Sequence, residues 1–223
     1  MSLHLSQTEE NYLKAIFKIC EANRPLASTN DISAAMQISA ASVSDMLKRL
    51  AEKELITYEK YKGVNLTKEG NRTATQLIRK HRLWETFLAE KLRFSWEKVH
   101  EIAEQLEHIK STELVERLDD FLGNPKFDPH GDPIPNAEGE FAHRRQIQLS
   151  DAEAGEKGVI VGVRDDSENF LRFLNHQELS LGTKIEIREK FSYDGSIRIS
   201  VNEKEDIVLS EKVCRNLFIQ RKK

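Results

Sequence analysis

Hydrophobic positions recur every three to four residues through the first two thirds of the chain and follow a shorter period in the last third. The first spacing places apolar side chains on one face of a helix, whereas alternation places them on one face of a strand. We therefore expect a mainly α protein with a β C-terminal part. The pattern divides it into segments 1–74, 75–142 and 143–223.

The first segment predicts a winged helix-turn-helix. A short capped helix over Ser28–Met36 is followed by a turn and a second helix over Ala40–Leu50, whose small first residues allow close approach to a DNA major groove. Two short strands joined by residues 60–63 form the wing, where lysines suit phosphate contacts. The alternative is a small helical domain that binds no DNA. The DNA-contact candidates are Ser39, Ala41, Ser42, Asp45, Arg49, Lys60 and Lys62.

The middle segment concentrates histidines and carboxylates within residues 79–108, which predict two helices joined by a break at residues 94–96. His81 and Glu85 are four residues apart on the first helix. Imidazoles and carboxylates on facing helices are typical of a transition-metal site inside a helical protein. Ordinary solvated or core polar groups are the alternative, and spacing alone leaves both open. The second helix carries its polar arc at His100, Glu104, Glu107 and His108.

Broad apolar stripes in the middle segment exceed what one small domain buries, so we expect a homodimer. A dimer suits a helix-turn-helix, because two recognition helices then read two half-sites of a palindromic operator.

The last segment predicts a small β-barrel with one or two helical turns between residues 168 and 179. We interpret it as an interaction or stabilising module rather than an enzyme. The five predicted strands cover residues 145–149, 157–163, 184–190, 196–201 and 205–209.

Composition narrows the class of protein. The net charge of -3 excludes a generally basic nucleic-acid coat but permits a local basic face. Cys20 and Cys214 form no metal or redox motif, and with no signal peptide they indicate a reducing cytosol. No apolar run reaches membrane-spanning length. We therefore expect a cytoplasmic protein with no membrane partner.

Five motifs in collinear order resemble the diphtheria toxin repressor family of metal-dependent transcription regulators, and more closely its manganese transport regulator branch. The resemblance is strong up to about Phe141 and weaker beyond. It implies a winged helix-turn-helix, a helical dimerisation domain, an SH3-like C-terminal domain and a divalent metal co-repressor. The motifs are TEENYL at 8–13, YEKYKGVNLTKEG at 58–70, KHRLWETFL at 80–88, VHEIAEQLEH at 99–108 and HGDPIP at 130–135.

The resemblance also implies metal ligands. Asn11 stands where the iron branch has methionine and the manganese branch aspartate, and its amide oxygen is a possible ligand. His100 matches an ancillary ligand of the iron branch. The residues that fall on the family's regulatory ligands are His81, Glu85, Glu104, Glu107 and His108.

Further ligands are implied outside the helices. Asp128 and His130 match a Cys/His pair of a second site in some manganese-responsive members, and Asp166 lies where the C-terminal domain lends a ligand. Glu104 stands where the iron branch has cysteine, so the set offers oxygen and nitrogen without sulfur. These harder ligands favour Mn(II), with Fe(II) as second choice.

The resulting hypothesis is a homodimeric, metal-dependent repressor of metal-uptake genes. Two alternatives remain open from the residues. A helical carboxylate/His metalloenzyme is disfavoured because residues 104–107 break the Glu-x-x-His pattern and only one copy exists. A DNA-binding regulator with a non-metal effector is the other.

Overall fold

The computed structural model describes residues 5–21, 26–59 and 62–222. Its contacts divide the chain into two compact units. The first unit draws on Met1–His81, Gln105–Ser111 and Pro135–Phe141, and the second comprises Arg82–Glu104, Thr112–Ile134 and Ala142–Lys223. The middle segment thus supplies residues to both units, and the three segment boundaries stay a prediction. Within the described ranges, no helix is long and apolar enough to cross a membrane.

The predicted winged helix-turn-helix is confirmed in the first unit. Ser28 begins the second helix through a capping box with Asp31, and Gln37 ends it in the left-handed region with φ 55°. The side chain of Ser39 then caps the third helix. The elements are α1 (Gln7–Glu21), α2 (Thr29–Met36), α3 (Ala40–Glu52), β1 (Ile56–Glu59), β2 (Gly63–Leu66) and α4 (Lys68–Glu90), which continues into the second unit.

One apolar core holds these elements together. Strands β1 and β2 pair antiparallel, with Ile56 opposite Leu66, and Ala27 bridges to Val64. Because α1 and α3 bury side chains in the same core, a displacement of α1 perturbs the packing of α3. The fully buried members are Tyr12, Leu13, Ile16, Ile32, Val43, Leu47, Leu50, Leu55 and Val64.

The expectation of one helix from His100 to His108 is wrong. Helix α5 (Val99–Leu106) ends before the last two polar residues, where the amide of Ile109 bonds to the carbonyl of Leu106. Glu107 and His108 lie in the following turn, and both pair with side chains of α1. These tertiary contacts outweigh the helix propensity of the segment. Helix α6 (Thr112–Leu122) follows.

The C-terminal part of the second unit is one antiparallel sheet in the order β3-β8-β4-β5-β6-β7. The predicted β content is confirmed, with one strand more than expected, because β8 was not predicted and pairs with both β3 and β4. Among the described residues no pairing joins β3 to β7, so the sheet is open rather than a closed barrel. The strands are β3 (Ile147–Gln148), β4 (Lys157–Val163), β5 (Lys184–Lys190), β6 (Ile197–Val201), β7 (Glu205–Leu209) and β8 (Leu217–Arg221).

Two short helices cover this sheet. Helix α7 (Glu168–His176) occupies the predicted helical stretch, and α8 (Glu211–Arg215) precedes β8. Alternate strand residues such as Ile185 and Ile187 are buried in the same apolar core as Leu171 of α7, as the two-residue period of a strand requires.

Candidate metal centre and DNA-binding surface

Helix α3 presents a polar face to solvent and an apolar face to the core. Val43, Leu47 and Leu50 are fully buried, which turns the opposite side outward. In the wing, Lys62 is exposed and pairs with Glu59 at 2.6 Å, whereas Lys60 lies outside the described residues. This exposure meets the requirement for a DNA-contact surface. The exposed candidates on α3 and its cap are Ser39, Ala41, Ser42, Asp45 and Arg49.

A buried group of charged side chains joins α1 to α4 and to the turn after α5. We call Glu10, Lys14, His81, Glu107 and His108 the head cluster. Glu107 Oε2 accepts hydrogen bonds from Lys14 Nζ and His81 Nδ1, each at 2.6 Å. His108 Nδ1 lies 2.6 Å from Glu10 Oε2, and His108 Nε2 lies 3.8 Å from Glu107 Oε1. The cluster therefore connects the first helix of the DNA-binding domain to two of the implied metal ligands, Glu107 and His108.

Electrostatics inside the head cluster keep its central carboxylate ionised. Burial alone would raise the pKa of Glu107, but the His81 hydrogen bond and the Lys14 charge outweigh it and hold that pKa below its usual value. Burial lowers the pKa of Lys80, which faces Glu10 and Glu107. Negative charge here is therefore balanced by the chain's own basic groups.

Sequence reasoning missed Lys14 and Glu10. The available signal was the position of Lys14 within the apolar face of α1, between Leu13 and Ile16. Lysine is almost never fully buried unless paired, so a lysine in this position indicates a buried ion pair. Asn11 lies half-buried on α1, three residues before Lys14 and on the same helix face.

A second buried group lies entirely in the second unit. We call Glu85, Asp128 and His130 the loop cluster. One ligand atom from each of these three buried side chains lies within 4.8 Å of the other two. Asp128 Oδ1 accepts the amides of His130 at 2.8 Å and Asp132 at 3.0 Å, which shapes the loop.

Gly131 allows this loop to approach β4. Its φ is +89°, and an added Cβ would lie 2.1 Å from the carbonyl oxygen of Val161. That close approach lets the amide of Val163 bond to the carbonyl of His130 at 2.9 Å. A side chain at position 131 would therefore displace His130 from the loop cluster.

The His130 ring is oriented by a hydrogen bond outside the cluster. Its Nε2 lies 2.8 Å from the carbonyl oxygen of Trp96, and the Trp96 ring stacks on it. A carbonyl only accepts, so Nε2 carries the proton and Nδ1 is directed towards Glu85 Oε2, 3.8 Å away. Holding one imidazole nitrogen as a donor is how proteins prepare the other to bind a metal.

Excess negative charge marks the loop cluster. Burial, followed by the charges of Glu85 and Asp132, raises the pKa of Asp128 to about 7. Burial opposes protonation of His130, but its bond to Glu85 and the nearby carboxylates raise its pKa to about 9. The cluster therefore favours bound protons or another cation.

Arg82 lies beside the loop cluster and bonds mainly to groups outside it. Its Nε lies 3.5 Å from Asp128 Oδ2, while its other nitrogens bond to the carbonyl of Pro133 at 2.6 Å and to Asp132 at 3.1 Å. Sequence reasoning missed it, although KHRLWETFL places an arginine one residue after His81.

The remaining candidates interact with His100, which lines a surface groove. His100 Nδ1 lies 3.2 Å from Glu85 Oε1, and His100 Nε2 lies 3.5 Å from Glu104. Bonds from Glu104 first and Glu85 second raise the pKa of His100 to about 9, with a contribution from the charge of Asp166. The exposed Asp166 lines the groove together with His100.

The donors in both clusters fit a divalent cation. They are carboxylate oxygens and imidazole nitrogens with no sulfur, which suit Mn(II) and Fe(II). In the loop cluster the oriented Nδ1 of His130 and two buried carboxylates converge. In the head cluster Glu107 lies 2.6 Å from His81 and 3.8 Å from His108, so a metal bound there would require these side chains to move closer together.

Comparison with known proteins identifies the domains of the chain. Models of the iron-dependent repressor N-terminal DNA-binding domain and of its metal-binding and dimerisation domain match residues 4–64 and 67–136. A FeoA domain matches residues 147–221. The structure of a manganese-dependent transcriptional repressor in complex with manganese is 31% identical, covers 96% of this chain and 99% of that one, and superposes with a TM-score of 0.84.

The chain belongs to the iron-dependent repressor family. The iron-dependent repressor IdeR of Mycobacterium leprae is 25% identical over 97% of this chain and 98% of its own length. The diphtheria toxin repressor of Corynebacterium jeikeium is 34% identical over 59% of this chain, a match that spans only 54% of that protein. The resemblance found in the motifs is thereby confirmed.

Membership of the iron-dependent repressor family decides between the alternatives left open by the sequence. The family consists of metal-dependent, DNA-binding transcriptional repressors, and this chain carries their DNA-binding, metal-binding and dimerisation domains. It is a regulator rather than a metalloenzyme, and its effector is a metal.

Proposed function

We propose that this protein is a cytoplasmic homodimer that uses Mn(II), or Fe(II) as second choice, as co-repressor on a palindromic operator of metal-uptake genes. The observation that carries the proposal is the head cluster, in which Glu107, His81 and His108 lie against α1. When bound there, the divalent ion supplies a doubly charged centre for these oxygen and nitrogen donors.

Helix α1 transmits the state of the cluster to the DNA-binding surface. Its Leu13 and Ile16 share a core with Val43 and Leu47 of α3, so the position of α1 constrains the recognition helix. Metal and DNA then favour one conformation, and each raises the affinity for the other by the same factor.

Exposed apolar side chains support the homodimer. Leu92, Leu114 and Phe121 belong to the matched dimerisation domain and are 52%, 39% and 64% exposed. Where such side chains form one contiguous patch, they mark a protein interaction surface. A two-fold dimer would bring two copies of α3 to two operator half-sites.

The experiment measures how DNA affinity depends on the metal that is present. Duplexes are first selected from a random library, and binding of the best one is followed by fluorescence anisotropy with Mn(II), Fe(II), Co(II), Zn(II) or a chelator. We expect Mn(II) to raise affinity at least tenfold, a typical allosteric coupling of about 1.4 kcal/mol. Equal affinity with Mn(II) and with chelator would contradict the co-repressor role.

A pair of arginine variants tests the DNA surface in the same assay. Arg49→Ala removes an exposed cation from α3, whereas Arg72→Ala removes an exposed cation that pairs with Glu69 on α4. We expect Arg49→Ala to weaken DNA binding with metal present. The slope of log affinity against log salt concentration should fall by about one, as for the loss of one phosphate contact. Arg72→Ala should leave both unchanged.

A further inference from the structure

We propose that Lys14 is a built-in cation that competes with the metal ion for Glu107 and His81, and so sets the metal concentration at which the protein responds. The inference rests on the proposed function of the head cluster. It assigns to a lysine of α1 the task of holding the cluster together until a divalent ion replaces it.

The ammonium group occupies the position that a bound cation requires. Lys14 Nζ lies 2.6 Å from Glu107 Oε2 and 3.3 Å from His81 Nδ1. The Lys14 and Glu107 side chains are 8% and 1% exposed, so this is a buried ion pair. The two atoms that Lys14 contacts are the oxygen and nitrogen that would bind the metal.

Lys14 and a divalent ion exclude each other at this position. A metal binds carboxylate oxygen and imidazole nitrogen at about 2.0–2.2 Å and needs their lone pairs. An ammonium group that already bonds to the same Oε2 would lie within a few ångströms of the ion, and the two positive charges repel strongly in a buried site. The ammonium must therefore withdraw before Glu107 and His81 can bind the metal.

The chemistry of lysine suits such a temporary occupant. Its charge sits on a flexible four-carbon stem, so the ammonium can move while the helix stays in place. Glu107 also faces the charge of Lys80, which in turn faces Glu10 and Lys110. Without metal, the Lys14–Glu107 ion pair joins α1 to the turn after α5.

A matched pair of lysine variants measures the competition. Lys14→Met keeps the length of the stem and removes its charge, and Lys18→Met removes an exposed charge one turn further along α1. Both are made in full-length chains that carry Asp128→Asn, which weakens the loop cluster while leaving an oxygen to accept the amides of His130 and Asp132. Mn(II) binding is measured without DNA, by electron paramagnetic resonance of free Mn(II) after chelator treatment.

We expect Lys14→Met to bind Mn(II) about tenfold more tightly, or better, because a repelling charge has been removed. Lys18→Met should match the parent chain. Equal or weaker binding by folded Lys14→Met overturns the inference alone. Failure of both the parent and Lys14→Met to bind Mn(II) overturns the proposed function of the head cluster as well.

A measurement on the unaltered protein covers the case in which Lys14→Met does not fold. Reductive methylation of lysine amines is followed by mass spectrometry with and without saturating Mn(II). We expect Lys14 to react several-fold faster once Mn(II) displaces it from Glu107, with Lys18 as the internal reference. A Lys14-to-Lys18 rate ratio that Mn(II) leaves unchanged overturns the inference.

Discussion

The head cluster and the loop cluster use similar groups but balance their charges differently. Each buries a carboxylate, an imidazole and a neighbouring basic side chain. In the head cluster Lys14 bonds directly to Glu107 at 2.6 Å. In the loop cluster Arg82 stays 3.5 Å from Asp128 and is held by Pro133 and Asp132.

The pKa values follow from this difference. The pKa of Glu107 is held below its usual value, whereas that of Asp128 is raised to about 7. The head cluster contains a directly bonded ammonium group, while in the loop cluster burial and the charge of Glu85 raise the pKa of Asp128 although Arg82 lies nearby. We therefore expect the loop cluster to fill at lower metal concentration and the head cluster to respond at higher concentration.

The largest expected effect comes from breaking the head cluster. Glu107→Gln leaves Lys14 and His81 buried without their anion, which typically costs about 3–5 kcal/mol of unfolding free energy. Urea unfolding of the metal-free protein measures the loss. Glu113→Gln is the control, because its pair with Arg117 is exposed and contributes little. Equal stability of the two variants would contradict a structural role for Glu107.

Replacing Arg82 should weaken metal binding, whereas replacing Lys14 should strengthen it. Arg82→Met removes bonds that hold the Pro133 carbonyl and Asp132, so we expect a loss of about 2–3 kcal/mol and a loosened loop. Metal affinity of the loop cluster should fall rather than rise, because Asp128 and His130 lose their positions. Calorimetric Mn(II) titration tests this, with the exposed Arg172→Met as control. Tighter Mn(II) binding by Arg82→Met would show that Arg82 also competes with metal.

A smaller effect concerns pH. The pKa of His130 and His100 rises to about 9 in the folded chain, so the stability they contribute is present below about 6.5 and is lost as pH rises through 9. The pKa of Asp128 is raised to about 7, so its ionisation also weakens the metal-free fold as pH rises through 7. Metal affinity should change in the opposite direction, because protons compete for the same atoms.

Urea unfolding at pH 6.5 and pH 9, with and without Mn(II), tests whether metal-free stability falls with pH while metal affinity rises. We expect the stabilisation by Mn(II) to be larger at the higher pH. Glu104 and Glu85 together raise the pKa of His100, and Glu85 contributes to that of His130, so Glu85→Gln should reduce the pH dependence of the metal-free protein. A metal-free protein that is more stable at pH 9 than at pH 6.5 would contradict the assignment.

Local sequence patterns were sufficient to predict much of the fold. The capping box at Ser28 and Asp31, the small residues of α3 and the glycine of the wing are local signals, and the elements form where they indicate. Strand β8 was missed because its segment, Leu217–Arg221, is short and follows a helix, so little alternation precedes it. Its pairing partners β3 and β4 are distant in sequence.

The histidines and carboxylates of residues 79–108 were identifiable as chemical groups from the sequence, but their grouping was not. Helix spacing placed Glu107 on one arc with His100, whereas α5 ends at Leu106 and the turn directs Glu107 to Lys14. Likewise, Glu85 and Gly131 are 46 residues apart in sequence, and no periodic signal connects them into the loop cluster. It forms because Gly131 lets the loop reach β4.

By itself, then, the sequence determined the classes of element, the DNA-binding domain and the presence of oxygen and nitrogen ligands, because these depend on residue type and short-range spacing. Tertiary structure alone decided which ligand faces which cation. That outcome depends on burial, which makes an unpaired charge costly and so draws Lys14 to Glu107 and leaves Asp128 beside Glu85.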